Sequence, residues 1–219
     1  MEKDIKAHTI APAPKTVRGY LSSIDVNDHH ILYFNGGTAI LLPQDPTKPV
    51  LNIVHLSDVT AVKFSPDGRL VASLDVKGTL VITEICPDKL LFVRQFENFF
   101  PNAKSIDWSA DGKRICAVGE GKNTFGRVGL VETGTNAGEI TGVTSTLNSC
   151  CFRPERPYKL VLGGDEMVLK FFEGPPYSFK QSDQTHKGFI NQLKYSPKGN
   201  YILAGGADRK LTLHEGVKF

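Results

Sequence analysis

Residues Leu160–Asn191 read LVLGGDEMVLKFFEGPPYSFKQSDQTHKGFIN and hold the pattern that decides the fold. β-branched and aromatic runs predict two short strands, Val161–Gly164 and Val168–Phe172. The turn between them is predicted at Gly163, Gly164 and Asp165, residue types that tolerate tight backbone bends. A Gly-Pro-Pro run at 174–176 follows, and it stiffens the next loop because the proline ring fixes φ.

Two aromatic residues, Tyr177 and Phe179, follow the proline run, and they allow two interpretations. A stiff loop presents aromatic rings at a low entropic cost, which suits a binding surface. Alternatively, both rings pack into the sheet.

The same pattern recurs along the chain with an aromatic residue as its anchor. The anchors are Phe64 in FSPDG, Trp108 in WSADG, Phe152 in FRPER and Tyr195 in YSPKG, spaced 44, 44 and 43 residues apart. A weaker copy, IDVND, begins at Ile24, 40 residues before the first anchor. A regular period of this length indicates a repeat architecture.

Each period contains four short strands with polar turns between them. Around the first anchor we predict strands at Val59–Phe64, Leu70–Leu74, Thr79–Thr83 and Leu90–Gln95. A four-stranded unit of about 40–45 residues is typical of a WD-repeat propeller blade, whereas TPR and HEAT repeats need helices. The predicted fold is therefore all-β: an incomplete WD-repeat β-propeller of about four and a half four-stranded antiparallel blades.

The predicted organisation is an extended N-terminal arm over residues 1–19 and a partial propeller over 20–219. The last blade stops after its third strand, Leu211–His214. Because a seven-bladed ring needs roughly 300 residues, this arc would expose a free strand edge and an apolar face larger than monomers usually tolerate. We therefore expect a piece of a longer protein; the alternative is a small protein that closes by oligomerising.

Composition narrows the class of protein. The chain has 219 residues, 40% of them apolar, a mean hydropathy of −0.18 and a net charge of +3, without the clustered basic footprint of a nucleic-acid binder. It has neither an 18-residue apolar run nor a secretory signal at its charged N-terminus, so we predict no membrane segment and a cytoplasmic location. The four cysteines lack C-x-x-C spacing and are predicted to be reduced thiols: Cys86, Cys116, Cys150 and Cys151.

No set of residues in the sequence indicates catalysis, a cofactor or a metal. The GEGK run at 119–122 lacks the spacing of a phosphate-binding loop. His29 and His30 fall in a predicted turn without further ligands at metal-site spacing, so we interpret them as solvated. We predict no enzyme, no cofactor and no small-molecule substrate.

Acidic residues recur at the turn between the second and third strands of a blade. For Asp75 and Asp208 the structural interpretation is preferred, because such an aspartate holds its own turn and, in WD blades, accepts from a histidine. The preceding histidines, His55 and His186, have the right order for these pairs. The acids Glu120 and Asp165 stay open between a structural and a binding role, because neighbouring repeats place their acids differently.

Three runs together, VGEGKNTFGRV, GGDEMVLKFFEGPPYSFK and THKGFINQLKYSPKGNYILAGGADRKLTLHEG, resemble the actin-interacting protein 1 family. The similarity covers about residues 15–219 and is strongest from Trp108 onward. It implies two seven-bladed propellers in the family, of which this chain resembles the first part of the N-terminal one. It also implies a non-enzymatic regulator of the actin cytoskeleton that binds cofilin-decorated actin filaments and promotes their disassembly.

By the same resemblance, the partner-binding residues are Glu120, Asp165, Phe179 and Phe189, and the partners are actin filaments and ADF/cofilin. Two departures from the family pattern bear on these assignments. Ser178 stands where the family has a lysine, with Lys180 just beyond Phe179, and Gly188 is inserted before Phe189.

Two other functions remain alternatives. One is a generic WD-repeat scaffold that recruits a different protein, because propellers host many functions. The other is an enzyme with its site in the central channel, which needs inward-facing histidines and carboxylates from several blades.

Overall fold

Nineteen strands in five antiparallel sheets make up the part of the chain that the computed structural model describes, residues 11–14 and 23–217. Blade one contains β1 (Asp25–Val26), β2 (His30–Asn35), β3 (Thr38–Pro43) and β4 (Leu51–Val54). Blade two contains β5 (Val59–Phe64), β6 (Leu70–Asp75), β7 (Leu80–Ile85) and β8 (Leu90–Phe96). Blade three contains β9 (Ala103–Trp108), β10 (Arg114–Gly119), β11 (Gly126–Leu130) and β12 (Asn136–Glu139). Blade four contains β13 (Leu147–Phe152), β14 (Lys159–Gly164), β15 (Leu169–Glu173) and β16 (Ser178–Asp183).

Blade five has three strands: β17 (Ile190–Tyr195), β18 (Tyr201–Gly206) and β19 (Leu211–Glu215). In every sheet the strands pair in chain order, and the first strand packs against the first strands of the neighbouring blades. The all-β, incomplete WD-repeat propeller is thereby confirmed, including the last blade that ends after its third strand. In residues 11–14 and 23–217 there is no helix long and apolar enough to cross a membrane.

Each hydrophobic cluster lies between two consecutive blades. Four clusters fill the four interfaces, and each aromatic anchor is buried in one of them: Phe64, Trp108, Phe152 and Tyr195. A twisted sheet with two apolar faces is stable only between two others, which explains why apolar residues occupy both faces of the middle strands. The repeat period of the sequence is therefore the period of these interfaces.

Side chains on the inner strands also join one blade to the next by hydrogen bonds. Asp25 accepts from the backbone N–H of Phe64 at 3.0 Å, and Asp107 accepts from that of Phe152 at 2.7 Å. Ser149 accepts from the N–H of Leu193 at 3.0 Å. The two aspartate contacts are equivalent and lie two periods apart, and together with the Ser149 contact they fix the register between inner strands.

Several predicted boundaries are wrong for clear physical reasons. The end of the predicted strand Val161–Gly164 is confirmed, but Gly163 and Gly164 lie in β14 and not in the predicted turn, because their missing side chains allow close packing against the inner strands. Ile24 precedes the short strand β1 and is 54% exposed, so it does not act as a buried anchor. His30 begins β2 and is buried, whereas His29 is exposed as expected.

The N-terminal arm is described only at residues 11–14; residues 1–10 and 15–22 lie outside the described part. The described segment runs beside blade one. The hydroxyl of Tyr33 donates to the carbonyl of Pro12 at 2.8 Å, and the amide of Asn35 donates to that of Ala13 at 2.7 Å. This segment covers part of the face of blade one that points away from blade two.

Blade five presents an apolar face without a neighbouring blade among the described residues. Paired residues of an antiparallel sheet share a face, and the register pairs Leu203 with Leu213 and Gly205 with Leu211. The side chains of Tyr201, Leu203, Leu211 and Leu213 are all exposed. The sequence-based expectation of an exposed apolar blade face agrees with this arrangement.

A chain of polar contacts joins blade five to blade four. Asp208 lies 3.1 Å from Nδ1 of His186, whose Nε2 lies 2.9 Å from the hydroxyl of Thr212. The same hydroxyl is 2.8 Å from Nε2 of His214, whose Nδ1 is 3.1 Å from Asp183. The predicted pairing of His186 with Asp208 is therefore confirmed, and it extends to the last strand of blade four.

The corresponding pair in blade two is looser. Nδ1 of His55 lies 3.7 Å from Asp75, too far for a hydrogen bond, and Nε2 lies 2.8 Å from the hydroxyl of Ser73. Burial lowers the pKa of His55, although Asp75 acts against this effect. Asp75 instead holds the turn by accepting from the N–H of Thr79 at 2.8 Å.

We predict that Phe172→Ala lowers the free energy of unfolding by about 3–5 kcal/mol, because this ring is buried between blades three and four. The matched control is Phe92→Ala, since Phe92 is 67% exposed on β8 and its loss should change stability by less than about 0.5 kcal/mol. Urea unfolding of both variants checks this. Equal losses in the two variants would contradict the interface assignment.

We also predict an acid-dependent role for Asp208. The backbone N–H of Lys187, with further donors at His186 and Lys210, lowers the pKa of Asp208 to about 2. A lowered folded-state pKa stabilises the fold above the unfolded value and loses this effect as the pH falls through about 2. Asp208→Asn should therefore be less stable than the wild type near pH 6, with the gap closing between about pH 4 and pH 2.

The control for that experiment is Asp88→Asn, because Asp88 is exposed in the turn between β7 and β8. Urea midpoints are measured for the three proteins across the pH range. A gap between wild type and Asp208→Asn that stays constant with pH would show that the carboxylate charge is not the source of the stabilisation.

Candidate protein-binding surface

One end of the propeller arc carries three of the four predicted site residues. In an antiparallel sheet of four strands, the start of the first, the end of the second and the start of the third lie at the same end. We call this end the upper face. Glu120 and Asp165 directly follow the second strands of blades three and four, and Phe189 directly precedes the first strand of blade five. All three therefore belong to the upper face.

Glu120 and Asp165 occupy equivalent positions in neighbouring blades. The backbone N–H of Glu120 donates to the carbonyl of Asn102 at 3.2 Å, and that of Asp165 donates to the carbonyl of Thr146 at 2.9 Å. Each acceptor lies just before the inner strand of the same blade. The two carboxylates therefore point from the same place in two consecutive blades.

Glycines determine this position. A Cβ at Gly119 would lie 2.2 Å from the carbonyl oxygen of Asn102, and one at Gly164 would lie 2.1 Å from that of Thr146. Only glycine permits such a close approach of the two backbones. In blade two, Asp75 occupies the position that Gly119 and Gly164 hold in blades three and four. The structural aspartate therefore lies one residue before the position of Glu120 and Asp165.

The three residues line one groove where the central channel opens. This channel-mouth groove has a volume of about 590 Å³, and its lining includes Lys104, Glu120, Asn148, Asp165, Phe189 and Asn191. The ring of Phe189 is 48% exposed. Glu120 also borders a second, larger cleft of about 870 Å³, which is lined by the segment between β8 and β9 and by blade three.

A buried amide holds the acidic side of the groove in place. Asn148 donates to Asp165 at 2.9 Å and to the carbonyl of Ile190 at 3.1 Å. The ammonium of Lys104 donates to the amide oxygen of Asn148 at 3.4 Å. The side chains of Lys104, Asn148 and Asp165 thus form a short polar chain, whereas Glu120 is exposed at the rim.

Phe179 lies apart from the other predicted site residues. It sits on β16, the outer strand of blade four, rather than in the predicted loop, and it is 43% exposed. Its ring packs edge-to-face on Phe172 at 5.8 Å. The upper end of β16 is Asp183, four residues away, which corresponds to about 13 Å along the strand. Tyr177, by contrast, is 3% exposed and packs against Phe152, so only one of the two rings is available to a partner.

The surroundings of Phe179 also differ from those of the groove. Lys180 lies 3.9 Å from Glu173, and both side chains are about half exposed. The hydroxyl of Ser178 donates to the carbonyl of Glu173 at 3.4 Å. The basic residue beside Phe179 is thus weakly paired within its own blade.

Sequence reasoning missed Lys104, Asn148 and Asn191. With Thr60 they are the second residues of four inner strands, and they recur 44, 44 and 43 residues apart. This spacing equals that of the aromatic anchors, so an alignment of the repeats would have placed these residues together at the channel mouth.

The central channel holds a second group of charged side chains. Lys63 forms an ion pair with Asp25 at 2.9 Å and faces Asp107 and Lys194. Burial would lower the pKa of Lys63, but the carboxylates of Asp107 and Asp25 raise it above its ordinary value. Burial raises the pKa of Asp107, and burial with repulsion from Lys63 lowers that of Lys194.

These channel carboxylates already serve the fold, because Asp25 and Asp107 accept backbone N–H groups of the next blade. The described residues that line the channel include no histidine. The arrangement joins neighbouring blades through their inner strands.

The cysteines are free thiols, as predicted, and three are buried: Cys116, Cys150 and Cys151. Burial raises the pKa values of Cys116 and Cys151, which keeps them protonated and unreactive. Across residues 11–14 and 23–217, no group of three or more possible ligands could hold a metal ion.

Comparisons with known proteins agree with the repeat and the fold. The family model "WD domain, G-beta repeat" matches residues 48–82 and 177–215. The computationally designed Ika8 protein superposes with a TM-score of 0.69 at 16% identity, covering 88% of this chain and 57% of that chain. The designed Ika4 protein gives 0.60 at 17% identity, covering 74% and 92%. At these identities the likeness concerns the fold alone.

Curated relatives share more of the sequence. Actin-interacting protein 1 of Drosophila melanogaster is 36% identical over 210 residues, and WD repeat-containing protein 1 of Mus musculus is 36% identical over 209 residues. Each alignment covers 94% of this chain and 34% of the relative, so the chain spans about a third of the length of these proteins. Through this identity over nearly its whole length, and through the WD repeats that the family model detects, the chain is similar to the actin-interacting protein 1 family of WD-repeat proteins.

Proposed function

We propose that this chain is a non-enzymatic regulator of the cytoplasmic actin cytoskeleton, which binds cofilin-decorated actin filaments and promotes their disassembly. Its Drosophila relative is named for an interaction with actin. Because the chain spans 34% of that relative, the activity of the longer protein is carried over here as part of the proposal.

The observation that supports the proposal most is the channel-mouth groove. Glu120, Asp165 and Phe189 are far apart in the sequence but line one groove. They are also three of the four residues that the family resemblance assigns to partner binding. Binding surfaces gather residues from separate segments, whereas structural acids serve their own turns.

The roles of these residues in binding follow from their chemistry. A half-exposed aromatic ring loses most of its water contact in a complex, and such anchors carry much of the binding energy. The carboxylates act mainly on the rate and orientation of encounter. We therefore assign affinity to Phe189 and orientation to Glu120 and Asp165.

Phe179 is assigned to a separate contact on the outer rim of blade four. A filament coated with a second protein is a broad surface, so one partner can reach both the groove and the rim. The neighbouring Ser178 cannot supply the charge of the lysine found in the family. Since the two contacts share no residue, their contributions to the binding free energy should add.

We predict that Phe189→Ala weakens cosedimentation with cofilin-decorated actin by about thirty-fold, the effect of losing roughly 2 kcal/mol from one anchor. The matched control is Phe92→Ala, an exposed phenylalanine on the outer strand of blade two, which should bind like the wild type. Failure of the wild-type chain to bind decorated filaments would overturn the proposal. Capture of another protein by both the wild type and Phe189→Ala would favour the generic scaffold.

We further predict additive effects of Phe179→Ala and Phe189→Ala on binding and on the rate of filament disassembly. The double variant should lose the sum of the two single losses in binding free energy, within about 0.5 kcal/mol. Cosedimentation gives the affinities, and a light-scattering assay of decorated filaments gives the rates. A double variant no weaker than Phe189→Ala alone would remove Phe179 from the binding surface.

A further inference from the structure

We propose that the channel-mouth groove receives a cationic side chain, an arginine or a lysine, from the protein partner, and that Lys104 is a specificity-determining residue for this contact. The inference rests on the proposed function, in which the groove contacts the partner. It adds the chemistry of the group that enters.

Neither carboxylate of the groove is paired with a cation of the described residues. The carboxylate of Glu120 makes no hydrogen bond or ion pair within residues 11–14 and 23–217, although its backbone N–H is bonded. Asp165 accepts a hydrogen bond from Asn148, a neutral amide, and no cationic nitrogen of the described residues lies within ion-pair distance of it. Two carboxylates in one groove without a paired cation favour an incoming positive charge.

The groove already contains one cation, the ammonium of Lys104. Lys104 reaches the amide oxygen of Asn148 at 3.4 Å and lines the same groove as both carboxylates. The three charges leave a net charge of −1. Because Lys104 repels a second cation near its own ammonium, it favours a side chain that enters on the side of Glu120.

The ring of Phe189 forms an aromatic wall of the groove. Phe189 is 48% exposed and forms the apolar side of the groove. Arginine and lysine carry an apolar stem with a charged head, so the stem packs along a ring while the head reaches the carboxylates. A carboxylate-bearing side chain has a shorter stem and would meet Glu120 and Asp165 with the wrong sign.

The test determines the charge of the side chain that enters the groove and not only whether the groove is occupied. In cosedimentation with cofilin-decorated actin, Glu120→Gln should weaken binding by about fivefold, the upper range for an exposed charge. Lys104→Gln should strengthen binding by about twofold to fivefold, because it removes the repelling charge. The control Glu155→Gln, an exposed acid in the turn after β13, should bind like the wild type.

The opposite pair of signs, with tighter binding by Glu120→Gln and weaker binding by Lys104→Gln, would overturn the proposal in favour of an acidic occupant. Unchanged affinity in both variants would overturn it in favour of an apolar contact to Phe189 alone. Repeating the affinity measurement at higher salt concentration provides a second test. The loss of affinity caused by Glu120→Gln should become smaller as salt screens the charges.

A probe that needs no filament separates this inference from the proposed function. N-acetyl-arginine amide is titrated into the 219-residue chain, with N-acetyl-glutamate as the matched anion, and amide chemical shifts are followed by NMR. Shifts with the arginine probe at Glu120, Asp165 and Phe189, lost in Glu120→Gln/Asp165→Asn, support the inference even if decorated filaments fail to bind. Absent or equal shifts with the two probes would overturn it even if filaments do bind.

Discussion

Packing of one blade against the next is the constraint on which the rest of the structure depends. Each hydrophobic cluster belongs to two consecutive sheets, so no blade buries its own core. Inner-strand acceptors such as Asp25 and Asp107 bind backbone N–H groups of the following blade and set its register. The apolar contacts supply most of the stabilisation, while the hydrogen bonds choose one register among those that an apolar interface alone would allow.

The same constraint explains where the charged residues lie. A side chain at an interface must be apolar or fully paired, so unpaired charges are left at the sheet ends and in the channel. Lys63 in the channel is held by Asp25, and the acids of the turns hold backbone N–H groups. Glu120 departs from this pattern, because its carboxylate has no partner among the described residues. An unpaired acid in the same groove as a half-exposed ring distinguishes the channel-mouth groove from the structural polar contacts of the other turns.

The sequence predicted the repeat better than it predicted the site. The anchors Phe64, Trp108 and Phe152 are large, buried and evenly spaced, so the sequence alone locates blades two, three and four. The turn after β14 was predicted to begin too early, because Gly163 and Gly164 are typical turn residues that here serve close packing inside the strand. The equivalence of Glu120 and Asp165 was hidden by a one-residue offset from Asp75, and only the backbone hydrogen bonds reveal it. Lys104 belongs to no motif, and in the sequence only its spacing from Thr60 and Asn148 indicates its position at the channel mouth.

The position of the groove bears on whether an open arc of blades can bind at all. Lys104 and Glu120 come from blade three, Asn148 and Asp165 from blade four, and Phe189 from the loop into blade five. Thr60 and Val76 of blade two also line the groove, so it depends on three interfaces, and all three are filled by hydrophobic clusters within the described residues. The free apolar face of blade five lies on the far side of that blade, where Leu203 and Leu213 pair. Since no residue of the groove belongs to that free face, the interfaces that shape the groove are all formed by described residues of this chain.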